Sequence, residues 1–194
     1  MPVDPMPVRP DEAPAQRVRE RRWVPTLIVT ALVVVVAQGA RAVADATAPA
    51  PGPPITVGSV LTLQPRPGWD VVSTTAVPPA ARLHRGPVLL DVFVYPAASD
   101  GPVGVAARYV GEALRPSLAQ VTIGEAAPTT LAGGVPAVRF GYVGVTDDGL
   151  QLQGVVIAAS GSSASVVFDA YAPGGELATV AGDLQAMIDG AEVR

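Results

Sequence analysis

Val135-Pro-Ala-Val-Arg-Phe-Gly-Tyr-Val-Gly-Val-Thr146, Leu150-Gln-Leu-Gln-Gly-Val-Val-Ile-Ala-Ala159 and Ala164-Ser-Val-Val-Phe-Asp-Ala-Tyr171 are apolar runs parted only by Asp147-Asp148-Gly149 and Ser160-Gly-Ser-Ser163. Runs of this length, rich in β-branched residues and bounded by Asp, Gly and Ser, read as strands. Connections this short leave no room for a crossover, so the three strands are expected to be antiparallel neighbours. Glycine should supply positive φ in each turn.

Working outward, Val88–Tyr95 reads as a further strand. Val88, Leu90, Val92 and Val94 share one face, and Leu89, Asp91, Phe93 and Tyr95 the other, so both faces are largely covered. Ile55–Leu63 reads as a strand stopped by Pro65-Arg-Pro-Gly68. Gly101–Arg115 follows helical spacing, with Val103, Ala106, Ala107, Val110 and Leu114 in one stripe, Asp100 as N-cap and Pro116 as the stop. Glu176–Asp189 is a second helix, with Leu177, Val180, Ala181, Leu184 and Ile188 on one face and Gly190 closing it. Tight-turn strands with one helix inserted and another at the end spell an α+β domain, an antiparallel sheet with helices packed on it.

Ahead of this domain the chain changes character. Arg17, Arg19, Arg21 and Arg22 precede Trp23–Ala40, 18 residues without a formal charge, and Arg41 follows. At ~1.5 Å per residue that run reaches roughly 27 Å, close to the ~30 Å hydrocarbon core. The arginines hold the N-terminal flank in the cytoplasm, so everything after Arg41 is expected outside it, an N-in/C-out single span. The same residues also satisfy the pattern of a secretory signal, with A-x-A sites at Ala42-Val43-Ala44 and Ala44-Asp45-Ala46. Either way the folded part leaves the cytoplasm. The expected organisation is a proline-rich disordered tail (1–22), a transmembrane helix or signal anchor (23–40), a Pro/Ala-rich spacer (41–54) and an extracytoplasmic α+β domain (55–194).

Composition narrows the function classes. Lys and Asn are both absent, and all 13 basic residues are Arg. Those two amino acids share AT-rich codons, so their joint loss marks a GC-rich bacterial genome. With no Cys there is no disulfide, thiol nucleophile, zinc-thiolate site or lipidated cysteine. Residues 55–194 carry 7 Arg against 12 acids, which excludes the basic stripe that nucleic acid requires.

Some residues in this frame look familiar. Pro67-Gly68-Trp69 after an early strand resembles the P-x-G-W opening of the PsbP-like superfamily, which includes DcrB-type and LpqN-type envelope proteins and Mog-type Ran-binding proteins. Gly134-Val-Pro-Ala-Val-Arg-Phe-Gly-Tyr142 resembles that superfamily's G-x-P-A-x-x-x-x-Y strand. The strand Ser165–Tyr171, then Ala172-Pro173 and an amphipathic helix, is similar to its closing plan. The resemblance covers roughly residues 56–193. It implies an α/β/α sandwich around an antiparallel sheet, used mostly for binding partners, with no common catalytic residues. The chain departs from LpqN-type lipoproteins in lacking the lipobox cysteine.

No constellation for catalysis stands out. His84, the one histidine, lies in Arg82-Leu-His-Arg85 and reads as a solvated loop residue rather than a catalytic base. No G-x-S-x-G, G-x-G-x-x-G or P-loop occurs, and Asp147-Asp148-Gly149 lacks the spaced acids of a calcium loop. No cofactor or metal is expected. Asp91 and Asp169 differ from the other acids because each lies inside an apolar strand. A sheet edge reaching solvent, or an ion pair with Arg139, would account for them; a functional role is the alternative. Trp69 reads as a plug of the core or sheet edge, with a binding surface as the alternative.

These readings converge on a membrane-tethered, non-enzymatic binding or scaffold domain of the cell envelope, with an envelope protein as partner and Trp69, Asp91 and Asp169 as its candidate surface. A protein secreted by cleavage near Ala44 or Ala46 and a carboxylate-based envelope hydrolase are the alternatives.

Overall fold

Among the residues described by the computed structural model (52–75 and 78–194), eleven strands form two antiparallel sheets. They are β1 (Ile55–Val57), β2 (Leu61–Leu63), β3 (Asp70–Thr74), β4 (Ala81–Arg85), β5 (Val88–Pro96), β6 (Gln120–Ile123), β7 (Ala127–Thr130), β8 (Pro136–Val145), β9 (Gln151–Ser160), β10 (Ala164–Pro173) and β11 (Glu192–Val193). The larger sheet runs β3-β4-β5-β10-β9-β8-β6, with β7 also on β8; the smaller runs β1-β2-β11. The expected meander is β8-β9-β10, paired in register from Ala137↔Ala159 through Pro173↔Leu152.

Helix α1 (Gly101–Tyr109) covers one face of the large sheet, packing Val105, Ala106 and Tyr109 among Val138, Phe140, Tyr142, Val156, Ala158 and Val167. Helix α2 (Ala181–Asp189) covers the other with the small sheet, where Leu184, Met187 and Ile188 meet Leu61, Leu83, Leu90, Phe168 and Trp69. The period-2 alternation of β5 and β10 feeds both cores: Val88, Leu90 and Val92 with Val166, Phe168 and Ala170 on one side, and Asp91, Phe93, Val167, Asp169 and Tyr171 on the other.

Several expectations need correction. Ile55–Leu63 is a hairpin, because Gly58 takes φ +58° and reverses the chain. Arg82–Arg85 lies in β4 rather than a loop: cross-strand pairing to β3 and β5 overrides its polar appearance. The first helix is α-helical only to Tyr109, then widens into a π turn (Val110–Leu114) and tightens into a 3-10 turn (Arg115–Ser117). The five-residue step from Tyr109 to Leu114 shifts the buried stripe, so Val103 is 64% exposed while Val105 and Tyr109 are buried. Asp100 makes no side-chain capping bond. Gly149 has the expected positive φ, but Gly161 does not; a Cβ there would crowd the Ala164 and Arg194 carbonyls, so close backbone approach explains that glycine. The second helix opens as a 3-10 turn over Glu176–Val180.

The expected tail, membrane span and most of the spacer lie outside the described residues. Among the described residues no helix is long and apolar enough to cross a membrane.

Candidate functional site

Two rows of side chains cross the α1 face. In the first, register sets Arg82 opposite Asp91, Asp91 opposite Asp169, Asp169 opposite Val156 and Val156 opposite Phe140. In the second, Tyr171 and Tyr142 flank Gly154. The two aspartates are therefore neighbours on central strands, each 4% exposed. Neither lies at a sheet edge, and neither pairs with Arg139, which alternation along β8 sends to the opposite face, where it donates to Gln185 at 3.1 Å.

The carboxylates are satisfied by different partners. Arg82 grips Asp91 through two parallel bonds, Nε to Oδ1 and Nη2 to Oδ2, both 2.6 Å, and the Tyr171 hydroxyl donates to Oδ2 at 3.2 Å. Asp169 has no cation. It accepts from the Tyr109 hydroxyl and, at 3.1 and 3.3 Å, from the Tyr142 hydroxyl. Tyr109 comes from α1, so this bond pins the helix to the sheet. Gly154 makes the other possible: a Cβ there would overlap the Tyr142 ring, which crosses β9 to reach Asp169.

Burial pushes Asp169 up to about 7; the two tyrosine bonds hold it down and the Asp91 charge adds to the rise. Burial and the nearby carboxylate push Tyr109 and Tyr142 far above the ordinary phenol range, so both remain donors at any physiological pH. Burial, then the Asp91 charge, pushes Tyr171 the same way. The hydrogen bond to Asp91 raises Arg82 further and keeps it a cation.

Both acids line a cleft of about 360 Å³ bordered by Pro79, Ser117, Leu118 and Thr146. No group of three or more metal-ligating side chains gathers among the described residues, and the Arg82 guanidinium opposes a cation beside Asp91. The arrangement can take up one proton at Asp169, while the hydroxyl protons of Tyr109, Tyr142 and Tyr171 are spent on the two carboxylates.

Trp69 stands apart. It is 6% exposed in the core under α2, with its Nε1 unpartnered among the described residues, so the structure does not bring it together with the aspartates. His84 lies on β4, with Nε2 3.9 Å from Asp70 on β3. The Asp147–Gly149 segment is a hairpin turn in which the Thr146 hydroxyl bonds Asp148 and the Gly149 N–H bonds the Thr146 carbonyl. The residues missed from sequence are Arg82, Tyr109, Tyr142 and Tyr171. A signal existed: all four tyrosines of a chain poor in aromatics fall on the face that carries both buried acids.

A sheet of this order with one helix on each face is the PsbP-like, LpqN-type fold. The solution structure of cyanobacterial PsbP (CyanoP) from Synechocystis matches with a TM-score of 0.52 at 14% identity, over 69% of this chain and 86% of that one. The crystal structure of LpqN, involved in cell envelope biogenesis of Mycobacterium tuberculosis, matches with a TM-score of 0.55 at 14% identity, over 73% of this chain and 89% of that one. No family model matches the chain, and no curated protein matches it by sequence.

Proposed function

We propose that this chain is a non-catalytic binding or scaffold domain of a bacterial cell envelope, carried outside the cytoplasm on its N-terminal apolar segment and engaging an envelope protein. The observation that carries this reading is the commitment of both buried carboxylates to the protein's own side chains. Asp91 is neutralised by Arg82, and Asp169 is held by two tyrosines. Groups so occupied stiffen a binding scaffold, whereas a catalytic acid or base needs a lone pair or proton free for substrate. The fold shared with LpqN, a protein involved in envelope biogenesis, and the arginine-flanked run before the domain support the location.

Crosslinking and affinity capture of the full-length protein from native membranes, with mass spectrometry of its N-terminus, tests the proposal. One reproducible envelope partner and an uncleaved N-terminus are expected. Protein in the medium beginning after Ala44 or Ala46 would instead make it a secreted ligand-binding protein.

One observation favours a second reading, a carboxylate-based envelope hydrolase: two acids share a cleft, and Asp169 sits near 7. Hydrolysis of envelope glycan that Asp169→Asn and Asp91→Asn each abolish, with the fold intact, would replace the binding reading.

A further inference from the structure

The opposite face of the sheet holds a second concavity, about 260 Å³, between α2 and strands β8–β10. Its origin is in the sequence. Register aligns Ala170, Val155 and Gly141 across β10, β9 and β8, and the helical segment above presents Ala178 and Ala181. Small side chains facing small side chains leave the space between helix and sheet unfilled, while Ile157, Leu177, Leu184 and Ile188 make its walls apolar.

One cation borders this groove. Arg139 is exposed, and of its donors only Nη1–H is engaged among the described residues, by the neutral amide of Gln185. Gln185 in turn donates to Asp189 at 2.7 Å, so an amide separates the guanidinium from the nearest acid on the helix. Arg139 is thus an exposed cation at the margin of an apolar slot, accessible to an anion from solvent. A planar guanidinium matches a carboxylate through two parallel bonds. The volume lies below the roughly 300–1,000 Å³ of drug-sized sites, which suits one unbranched chain rather than a two-tailed lipid.

We propose that the α2 groove binds a single-chain fatty acid, its tail against Val155, Ile157 and Leu184 and its carboxylate on Arg139. This site is separate from the carboxylate–tyrosine cleft and does not depend on the function proposed above.

The protein as recovered from its cells, whether membrane-held or released, exposed to a diazirine-bearing dodecanoic acid and irradiated, would test it by peptide mapping. Crosslinks within 177–188 and 155–157, displaced by plain dodecanoate, are expected. Arg139→Gln should cut labelling by the acid roughly tenfold yet leave labelling by the matching diazirine-bearing dodecanol unchanged, because only the charge contact is lost. Ala181→Trp, which fills the groove, should abolish both. Equal loss of both probes in Arg139→Gln, or crosslinks confined to other segments, would overturn the proposal. Should Ala181→Trp fail to fold, the acid-against-alcohol comparison in Arg139→Gln decides alone.

Discussion

The two faces of the large sheet are built from the same strands by different means. Under α2, Leu83, Leu90, Val92, Val166 and Phe168 are all 0% exposed and form an apolar centre, while the polar links from sheet to helix, Arg85 to Asp183 and Arg139 to Gln185, lie at its exposed margin. Under α1, the residues one step along the same strands are Asp91, Asp169 and Tyr171, and a tyrosine of the helix bonds an aspartate of the sheet. Apolar packing tolerates small shifts of a helix, since burial has no direction. A buried carboxylate accepting from two hydroxyls does not, because leaving either acceptor unmet is costly. One face supplies cohesion and the other supplies position.

Breaking the apolar face should cost most. Phe168→Ala is expected to lose about 3–5 kcal/mol of unfolding free energy in urea titration. On the polar face, Arg82→Leu leaves Asp91 buried and unpaired, for a loss of about 3 kcal/mol. The double variant Arg82→Leu/Asp91→Leu should recover most of it, a recovery no pair of truncations under α2 would show. Gly154→Ala drives a methyl into the Tyr142 ring and should cost about 2 kcal/mol. It also removes one of the bonds that hold Asp169 down, so the carboxyl titration followed by NMR moves upward.

The contrast is sharpened further through pH. Asp169 takes up its proton near 7 in the fold, against 3.8 for an ordinary aspartate. The folded state therefore binds the proton more tightly, and the contribution of Asp169 to stability should be fully present below about pH 4, decline as pH rises and be gone above 7. Through Asp169 the midpoint of thermal unfolding should fall by roughly 5–10 °C between pH 5 and 8, and Asp169→Asn should flatten that slope. Variants confined to the α2 face should keep the slope unchanged.

The central strands were legible because their signal is local. Alternation in β5 and two short turns between β8, β9 and β10 set both pairing and facing from neighbours in sequence. Strands β3, β4 and β7 pair with near neighbours in sequence but are too short or polar to carry a signal of their own, whereas β6 and β11 reach β8 and β2 across intervening elements that no window of sequence contains. The helical stripe slipped because a π turn adds a residue after Tyr109, and nothing in Val110-Gly-Glu-Ala-Leu114 announces it. The site was half legible. Asp91 and Asp169 stood out as acids in apolar strands, and both line the cleft. Their partners did not, since Arg82-Leu-His-Arg85 has the polar look of a loop and Tyr109 lies 60 residues from Asp169.

The small sheet has a mechanical consequence. Among the described residues strand β1 pairs with β2 alone, whereas β2 is also held by β11, and the Arg194 N–H bonds the Val60 carbonyl just ahead of it. Ile55 lies at the open end of the hairpin, opposite Leu63. A pull on the chain ahead of Ile55 would thus peel β1 away one pair at a time, like a strip of tape, while β2 stays clasped. The domain carries a short compliant leader whose peeling is checked at Val57, which is buried in the core shared with the large sheet.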